Sequence, residues 1–176
     1  NGGNLWVGTI GGGGARFDGA RGSFTRFGHM PLIPTSLSDN VVTCILQDEG
    51  GIFWFGTASG LSINAPSAHK FPLYRSTPGT PGSLQGKRVY ALCTDSLGSV
   101  WIGTEDGGLH RFDPATGNIR NFRHDPGNPR SLPCDYVSAL MTDTRGDVWV
   151  GTYGGGVARY ERSQEMFTQF RADPRD

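Results

Sequence analysis

The stretch DSLGSVWIGTEDGGLHRF, at residues 95–112, contains the unit from which the whole chain is built. At its centre is the tetrapeptide Trp-φ-Gly-Thr, in which φ is an apolar residue, and this tetrapeptide occurs four times. Its tryptophans are Trp6, Trp54, Trp101 and Trp149, which lie 48, 47 and 48 residues apart. A fixed period of this length indicates a repeat architecture such as a solenoid or a propeller.

An aspartate stands six residues before three of these tryptophans, and a glycine follows three residues after each aspartate. This spacing predicts a hairpin turn in which the aspartate caps the backbone and the glycine takes a positive φ. The residues concerned are Asp48, Asp95 and Asp143, with Gly51, Gly98 and Gly146. We interpret them as structural, because each aspartate has a turn to cap, rather than as a ring of catalytic carboxylates.

Each unit contains four short segments with β-strand character, labelled A to D. β-Branched and apolar residues form strand A before the turn, and the Trp-φ-Gly-Thr tetrapeptide ends strand B. Glycines and a short polar turn then bound strands C and D. In the third unit, strands A and B are predicted at residues 89–93 and 100–104. Four short antiparallel strands per repeat are typical of a β-propeller blade.

The period divides the chain into four predicted blades. The first, at residues 1–27, lacks strand A, because residue 1 falls just after the position of the turn aspartate. Complete blades are predicted at residues 28–75, 76–122 and 123–170. The fold expected for residues 1–176 is therefore all-β, a β-propeller fragment of nearly four four-stranded antiparallel blades with the tryptophans packed between blades.

Composition excludes several classes of function. Sixteen basic and 16 acidic residues give a net charge of 0, and the scattered charge provides no surface for nucleic acid or an anionic membrane. The three cysteines and four histidines show no metal-ligand spacing, so no cofactor or metal is expected. The histidines, which are His29, His69, His110 and His124, are expected to be exposed loop or strand residues.

The string Asp-x-x-Gly-x-φ-Trp-φ-Gly-Thr-x-x-Gly-Gly-Leu-x-Arg-Phe at residues 95–112, followed by Pro-x-Ser-Leu-x-x-x-x-Val at residues 129–137, resembles the two-component regulator propeller repeat. The resemblance covers essentially the whole chain. In that family the repeats build periplasmic or extracellular sensor regions of bacterial transmembrane receptors, which are hybrid histidine kinases or diguanylate cyclases. The resemblance implies a sensing or dimerising region, with any kinase or cyclase activity located in other parts of the parent chain.

One end of the predicted blades is the better candidate for a binding site. The B–C turns and the long D–A loops emerge together there, whereas the A–B and C–D turns emerge at the opposite end. Variable polar loops are where binding residues concentrate. Five residues at this end offer charge, hydrogen bonding and a stacking ring: Glu105, Asp106, Tyr153, His124 and Arg130. No residue of the segment is predicted to be catalytic.

The leading hypothesis is a ligand-sensing or dimerising propeller of a receptor, on the periplasmic or extracellular side of the bacterial inner membrane. An alternative is a scaffold for protein–protein contacts that binds no small molecule. A less favoured alternative is a propeller enzyme, either a lyase or a hydrolase. The expected partners are the remaining blades of the parent chain or a second copy, together with a small-molecule or saccharide ligand. Neither nucleic acid nor membrane contact is expected of this segment.

Overall fold

The computed structural model describes residues 4–64, 73, 74, 80, 82–86 and 88–171, and all regular structure within them is β-strand. Blade 1 contains β1 (Asn4–Thr9), β2 (Gly13–Asp18) and β3 (Ser23–Phe27). Blade 2 contains β4 (Val42–Gln47), β5 (Phe53–Thr57), β6 (Gly60–Asn64) and β7 (Leu73–Tyr74). Blade 3 contains β8 (Val89–Thr94), β9 (Val100–Thr104), β10 (Leu109–Phe112) and β11 (Ile119–Phe122). Blade 4 contains β12 (Val137–Thr142), β13 (Val148–Thr152), β14 (Gly156–Glu161) and β15 (Met166–Phe170).

Each blade is an antiparallel meander, because its strands pair in the order in which they occur along the chain. Blade 1 is a sheet of three strands, and the other three blades are sheets of four. The strands β4, β8 and β12 contact one another from blade to blade, so the first strands form a common inner edge. The predicted fold class is confirmed.

The turn aspartate has two roles. Oδ1 of Asp95 accepts two backbone N–H groups of its own turn at 2.9 and 3.1 Å, and Gly98 has a φ of +78° as predicted. Oδ2 of Asp95 accepts the indole N–H of Trp101 at 2.9 Å. The same indole bond joins Trp54 to Asp48 at 2.8 Å and Trp149 to Asp143 at 3.0 Å. The aspartate therefore also fixes the direction of the tryptophan that follows it.

The tryptophans pack between blades. Trp54 lies 5.3 Å from the ring of Phe112 in the next blade, and Trp101 lies 4.9 Å from Tyr160. Both tryptophans are fully buried. Trp6 likewise lies 4.5 Å from Phe53 of blade 2. The prediction is confirmed at these three junctions, and each such burial contributes about 1.5–3 kcal/mol to stability.

The glycine and threonine of the tetrapeptide have distinct structural roles. A Cβ on Gly103 would lie only 2.5 Å from Cγ1 of Val137, so the glycine allows the first strand of the next blade to approach. Oγ1 of Thr104 donates to the carbonyl oxygen of Gly108 at 3.0 Å and closes the B–C turn. The tetrapeptide recurs because it joins a blade to its neighbour and shapes the turn that follows.

The D–A loops are anchored by the leucine of the Pro-x-Ser-Leu signature, which is buried at Leu37, Leu84 and Leu132. Two of these loops then reach the B–C turn of the preceding blade, where the N–H of Gly11 donates to the carbonyl oxygen of Asn40 at 2.9 Å and the N–H of Gly108 donates to that of Asp135 at 3.0 Å. D–A loops and B–C turns therefore lie together at one end of the blades, which we name the loop face.

The expectation that the histidines are exposed is wrong for those that the structure describes. His110 is fully buried, and its Nε2 accepts the backbone N–H of Gln85 at 2.9 Å, which ties a D–A loop to strand β10. Burial lowers the pKa of His110 to about 4. His29 and His124 are half-buried, with Nδ1 at 2.7 and 2.6 Å from carbonyl oxygens of their own loops. His69 lies outside the described residues.

Candidate functional site

Equivalent residues of successive blades meet at the inner edge of the loop face. In blades 2, 3 and 4 the N–H of the first B–C turn residue donates to the carbonyl oxygen of the residue before strand A. The bond joins Ala58 to Val41 at 3.1 Å, Glu105 to Arg88 at 3.0 Å and Tyr153 to Tyr136 at 2.9 Å. The frame is constant, whereas the side chains that it carries change from apolar in blade 2 to charged in blade 3 and aromatic in blade 4.

Three tyrosines form a row across blades 3 and 4. The ring of Tyr90, on β8, lies 5.2 Å from that of Tyr136 at an interplanar angle of 35°. Tyr136 in turn lies 5.2 Å from Tyr153 at an angle of 31°. Tyr153 is exposed at the end of this row, so one ring face is open to a ligand. Stacked rings of this kind present a large apolar contact surface with hydroxyl groups at the edge.

An ion pair closes the other end of the row. The guanidinium of Arg88 lies 5.8 Å from the centre of the Tyr90 ring, and its NH1 donates to the Tyr90 hydroxyl at 3.1 Å. The same NH1 lies 3.9 Å from a carboxylate oxygen of Glu105. We refer to Arg88, Tyr90, Glu105, Tyr136 and Tyr153 as the tyrosine cluster.

The phenol groups of the cluster are electrostatically distinct. A hydrogen bond with Tyr136 lowers the pKa of Tyr90, and the bond from Arg88 adds to this effect. The bond with Tyr90 raises the pKa of Tyr136 to about 12. The opposite shifts indicate that Tyr136 donates and Tyr90 accepts in this pair.

The structure brings two of the five predicted site residues into this cluster, Glu105 and Tyr153. Asp106 is the next residue of the same B–C turn and is exposed beside Gly86, where an added Cβ would meet its Oδ1 at 2.6 Å. It lies at the loop face, outside the tyrosine cluster.

The other two predicted residues, His124 and Arg130, lie in the loop between blades 3 and 4. They line a cleft of about 710 Å³ beside the outer strand of blade 4, together with Glu161 and Gln164. The carbonyl oxygen of Arg130 accepts the N–H of Phe167 at 3.0 Å, and its NH1 lies 3.2 Å from Sδ of Met166. These contacts hold the loop against the blade, so this pair is separate from the tyrosine cluster.

Three residues of the cluster were not predicted from the sequence, namely Arg88, Tyr90 and Tyr136. For Arg88 and Tyr136 the repeat itself contains a signal. The position before strand A changes from Val41 to Arg88 to Tyr136, whereas the following position is valine in all three blades. The constant valine keeps the backbone frame the same in all three blades. The side chain of the position before it can therefore vary and serve binding.

Among the residues that the structure describes, no three His, Cys, Asp or Glu side chains are arranged to hold a metal ion. None of them belongs to a helix that could span a bilayer.

The family model of the two component regulator propeller matches residues 36–59, 83–106 and 131–154. Each matched segment runs from a buried leucine of a D–A loop through strands A and B to the B–C turn. The chain contains two component regulator propeller repeats. All five residues of the tyrosine cluster lie within the second and third of these propeller repeats.

Solved structures share the fold of these repeats. The extracellular domain of a protein from B. thetaiotaomicron, assigned as a hybrid two component system, is 25% identical with a TM-score of 0.77; the match covers 94% of this chain and 21% of that one. A second such domain from the same organism is 20% identical with a TM-score of 0.58, over 96% of this chain and 26% of that one. Virginiamycin B lyase from Staphylococcus aureus is 16% identical with a TM-score of 0.71, over 99% of this chain and 54% of that one.

The second and third likenesses establish the fold alone. The chain spans about a fifth of the length of the first structure. Comparison with the curated proteins gave no match.

Proposed function

We propose that these repeats form a ligand-sensing or dimerising region of a bacterial transmembrane signalling receptor, on the periplasmic or extracellular side of the inner membrane. The observation that carries the proposal is the tyrosine cluster, which assembles side chains of two neighbouring blades at one open edge of the loop face. The matched repeats and the extracellular hybrid two component domain with the same fold support this placement. A histidine kinase or diguanylate cyclase output would belong to other parts of the receptor.

The ligand that suits the cluster is a small ring molecule with hydroxyl groups, such as a saccharide. The open face of Tyr153 would stack on the apolar face of the ring. The hydroxyls of Tyr90 and Tyr136 and the Arg88–Glu105 pair would provide donors and acceptors for its edge. A few polar groups beside an aromatic surface are typical of small-molecule sites.

A binding experiment with a matched control tests this proposal. Saturation-transfer NMR with a panel of neutral and acidic oligosaccharides would be recorded for the wild-type chain, Tyr153→Ala and Leu97→Ala. Tyr153 and Leu97 are similarly exposed, at 73% and 68%, but Leu97 lies in an A–B turn at the opposite end. Loss of one stacked ring is expected to weaken binding by on the order of tenfold in Tyr153→Ala only. Equal binding by all three proteins would contradict the proposal.

A second candidate function is a scaffold for protein contacts, and the outer surface of blade 4 favours it. Val157 and Phe170 are 41% and 44% exposed, whereas the equivalent residues of blade 3, Leu109 and Phe122, are 0% and 9% exposed beneath blade 4. A further blade of the parent chain or of a second copy would cover this surface in the same way. Light scattering over a concentration series tests whether a second copy covers this surface. If it does, the chain should form a dimer, and Phe170→Ser should weaken that dimer.

We propose no enzymatic role for this segment. The likeness to a lyase concerns the fold only. Ring nitrogens of all three described histidines lie within hydrogen-bonding distance of backbone groups that fix the D–A loops, at His29, His110 and His124.

A further inference from the structure

Two D–A loops of this chain share one hydrogen-bonded frame. In the loop between blades 1 and 2, the N–H of Met30 donates to Oγ of Ser36 at 2.9 Å, and the N–H of Ile33 donates to the carbonyl oxygen of Met30 at 2.9 Å. In the loop between blades 3 and 4, the N–H of Asp125 donates to Oγ of Ser131 at 2.9 Å. The N–H of Asn128 donates to the carbonyl oxygen of Asp125 at 3.0 Å. The two loops are therefore the same structure with different side chains.

The tips of these loops have opposite chemistry. Met30, Leu32 and Ile33 are 53%, 95% and 46% exposed. The equivalent residues of the other loop are Asp125, Gly127 and Asn128. Since polar residues support the same frame, the fold does not require apolar residues at this tip.

The neighbouring B–C turn repeats the contrast. Ile10 is 90% exposed, and its equivalent beside the polar loop is Glu105. Asn40 links Ile10 to the loop tip, because its carbonyl oxygen accepts the N–H of Gly11 at 2.9 Å while its Oδ1 accepts the N–H of His29 at 2.7 Å. Four positions are thus apolar together in one place, whereas three polar residues and a glycine occupy them in the other. We name Ile10, Met30, Leu32 and Ile33 the apolar patch.

The backbone of the tip can be buried at small cost. Pro31 and Pro34 have no N–H, and the N–H groups of Met30 and Ile33 are already bonded within the loop. Covering the tip therefore leaves few polar groups without partners. The polar loop has prolines at the equivalent positions, Pro126 and Pro129, so the shared frame permits burial of the tip and only the side chains distinguish the two loops.

We propose that the apolar patch is the contact surface for a second copy of this chain, with two patches facing each other across a two-fold axis. The patch carries no charge, so two copies can meet there without burying like charges. The equivalent polar surface would bring Glu105 and Asp125 of both copies together, which is unfavourable. No lysine or arginine lies in residues 28–38, so the loop offers no attraction to anionic lipid.

The size of the patch implies a weak association. Four side chains make a surface of roughly a few hundred Å², which is less than the ~800 Å² per partner of a stable interface. Such a contact acts when the copies are already held close together, as two receptors in one membrane are. The inference rests on the proposed receptor function for this tethering alone, and it does not involve the tyrosine cluster.

Disulfide cross-linking of Leu32→Cys, in a Cys134→Ser background, tests the two-fold contact directly. Cys44 and Cys93 are largely covered, so the new thiol is the reactive one. A two-fold axis at the patch brings residue 32 close to its own copy, whereas a head-to-tail contact between blade surfaces does not. Oxidation should give covalent dimer about tenfold faster than for the matched control Gly127→Cys. Equal rates for the two variants would overturn the proposal.

Sedimentation velocity provides a second measurement. Leu32→Asn should lower self-association of the wild-type chain by about tenfold, and Tyr153→Ala should leave it unchanged, which separates this inference from ligand sensing. Association that Leu32→Asn does not alter would overturn the proposal. Binding of the wild-type chain, but not of Leu32→Asn, to phosphatidylcholine vesicles without selective cross-linking would overturn it in favour of a lipid surface.

Discussion

A guanidinium nitrogen of Arg162, in the C–D turn of blade 4, lies 2.8 Å from Oδ2 of Asp95 in blade 3. The Asp95 side chain is completely buried, and the same oxygen accepts the indole N–H of Trp101. One carboxylate therefore caps a turn, orients a tryptophan and binds a cation of the next blade. In the equivalent Asp143, Oδ2 lies 4.0 Å from Nε of Arg145, which belongs to the same exposed turn.

This difference predicts unequal effects of one substitution at two equivalent positions. Asp95→Asn keeps the shape of the turn but removes the buried carboxylate that faces Arg162 and, at 4.0 Å, Arg111, so the free energy of unfolding should fall by about 2–3 kcal/mol. Asp143→Asn should lower it by clearly less, because Asp143 is 4.0 Å from an exposed arginine and has no inter-blade cation among the described residues. Urea unfolding of the two variants measures both values. Equal losses would mean that the inter-blade ion pair contributes nothing.

His110 predicts a specific dependence of stability on pH. Its pKa is about 4 in the folded chain because the ring is buried, and about 6.5 in the unfolded chain. The unfolded chain therefore binds more protons between these two values. The contribution of neutral His110 to the free energy of unfolding is complete above pH ~6.5 and is lost as the pH falls towards 4. Its total is about 3 kcal/mol. Denaturant unfolding at a series of pH values measures the slope.

The repeat itself provides the control for His110. In blade 2 the equivalent acceptor is Oγ of Ser62, which accepts the N–H of Ser38 at 3.0 Å. His110→Ser should therefore keep an acceptor for the N–H of Gln85 and abolish the dependence of stability on pH between about 4 and 6.5. His110→Ala should remove both the acceptor and the pH dependence. Blade 4 has Pro133 and Ala158 at these two positions, so it lacks the donor and the acceptor together. A slope that persists in His110→Ser would assign the effect to another group.

The sequence predicted the fold well because each element of the repeat is a local device. The turn aspartate, the turn glycine and the Trp-φ-Gly-Thr tetrapeptide act within about ten residues of one another, and repetition reveals them. The tyrosine row depends instead on how blade 4 is placed against blade 3. Tyr90 and Tyr136 are 46 residues apart, and within a single strand each is an ordinary β-forming residue. Glu105 and Tyr153 were predicted because their loops suggested binding, without any knowledge of their neighbours.

The hydrogen bond between Tyr90 and Tyr136 can be tested by titration. Tyr136→Phe removes the bond that lowers the pKa of Tyr90, so the pKa of Tyr90 should rise. The phenol that titrates at about 12 should disappear at the same time. Phenolate absorbance as a function of pH measures both changes. Tyr153→Phe leaves the bond intact, so a similar shift in that variant would contradict the assignment.

Glu165 combines backbone strain with an ion pair, and the two contributions can be separated. Its φ of +53° is the only positive value of a non-glycine residue in the described chain, and the equivalent positions are Gly22 and Gly117. Its carboxylate lies 2.5 Å from NH1 of Arg120 in blade 3, and this pair lowers the pKa of Glu165. Both side chains are half-exposed, so solvent screens the pair and its contribution to stability is small.

Glu165→Ala should lower the free energy of unfolding, because it loses the ion pair and keeps the unfavourable φ. Glu165→Gly also loses the pair but relieves the strain, so it should be more stable than the alanine variant by about 1 kcal/mol. Urea unfolding at low and high salt distinguishes the two effects, since only the wild-type protein should lose stability as salt screens the pair. If the alanine and glycine variants are equally stable, the backbone at this turn is not strained, and the ion pair alone accounts for the glutamate.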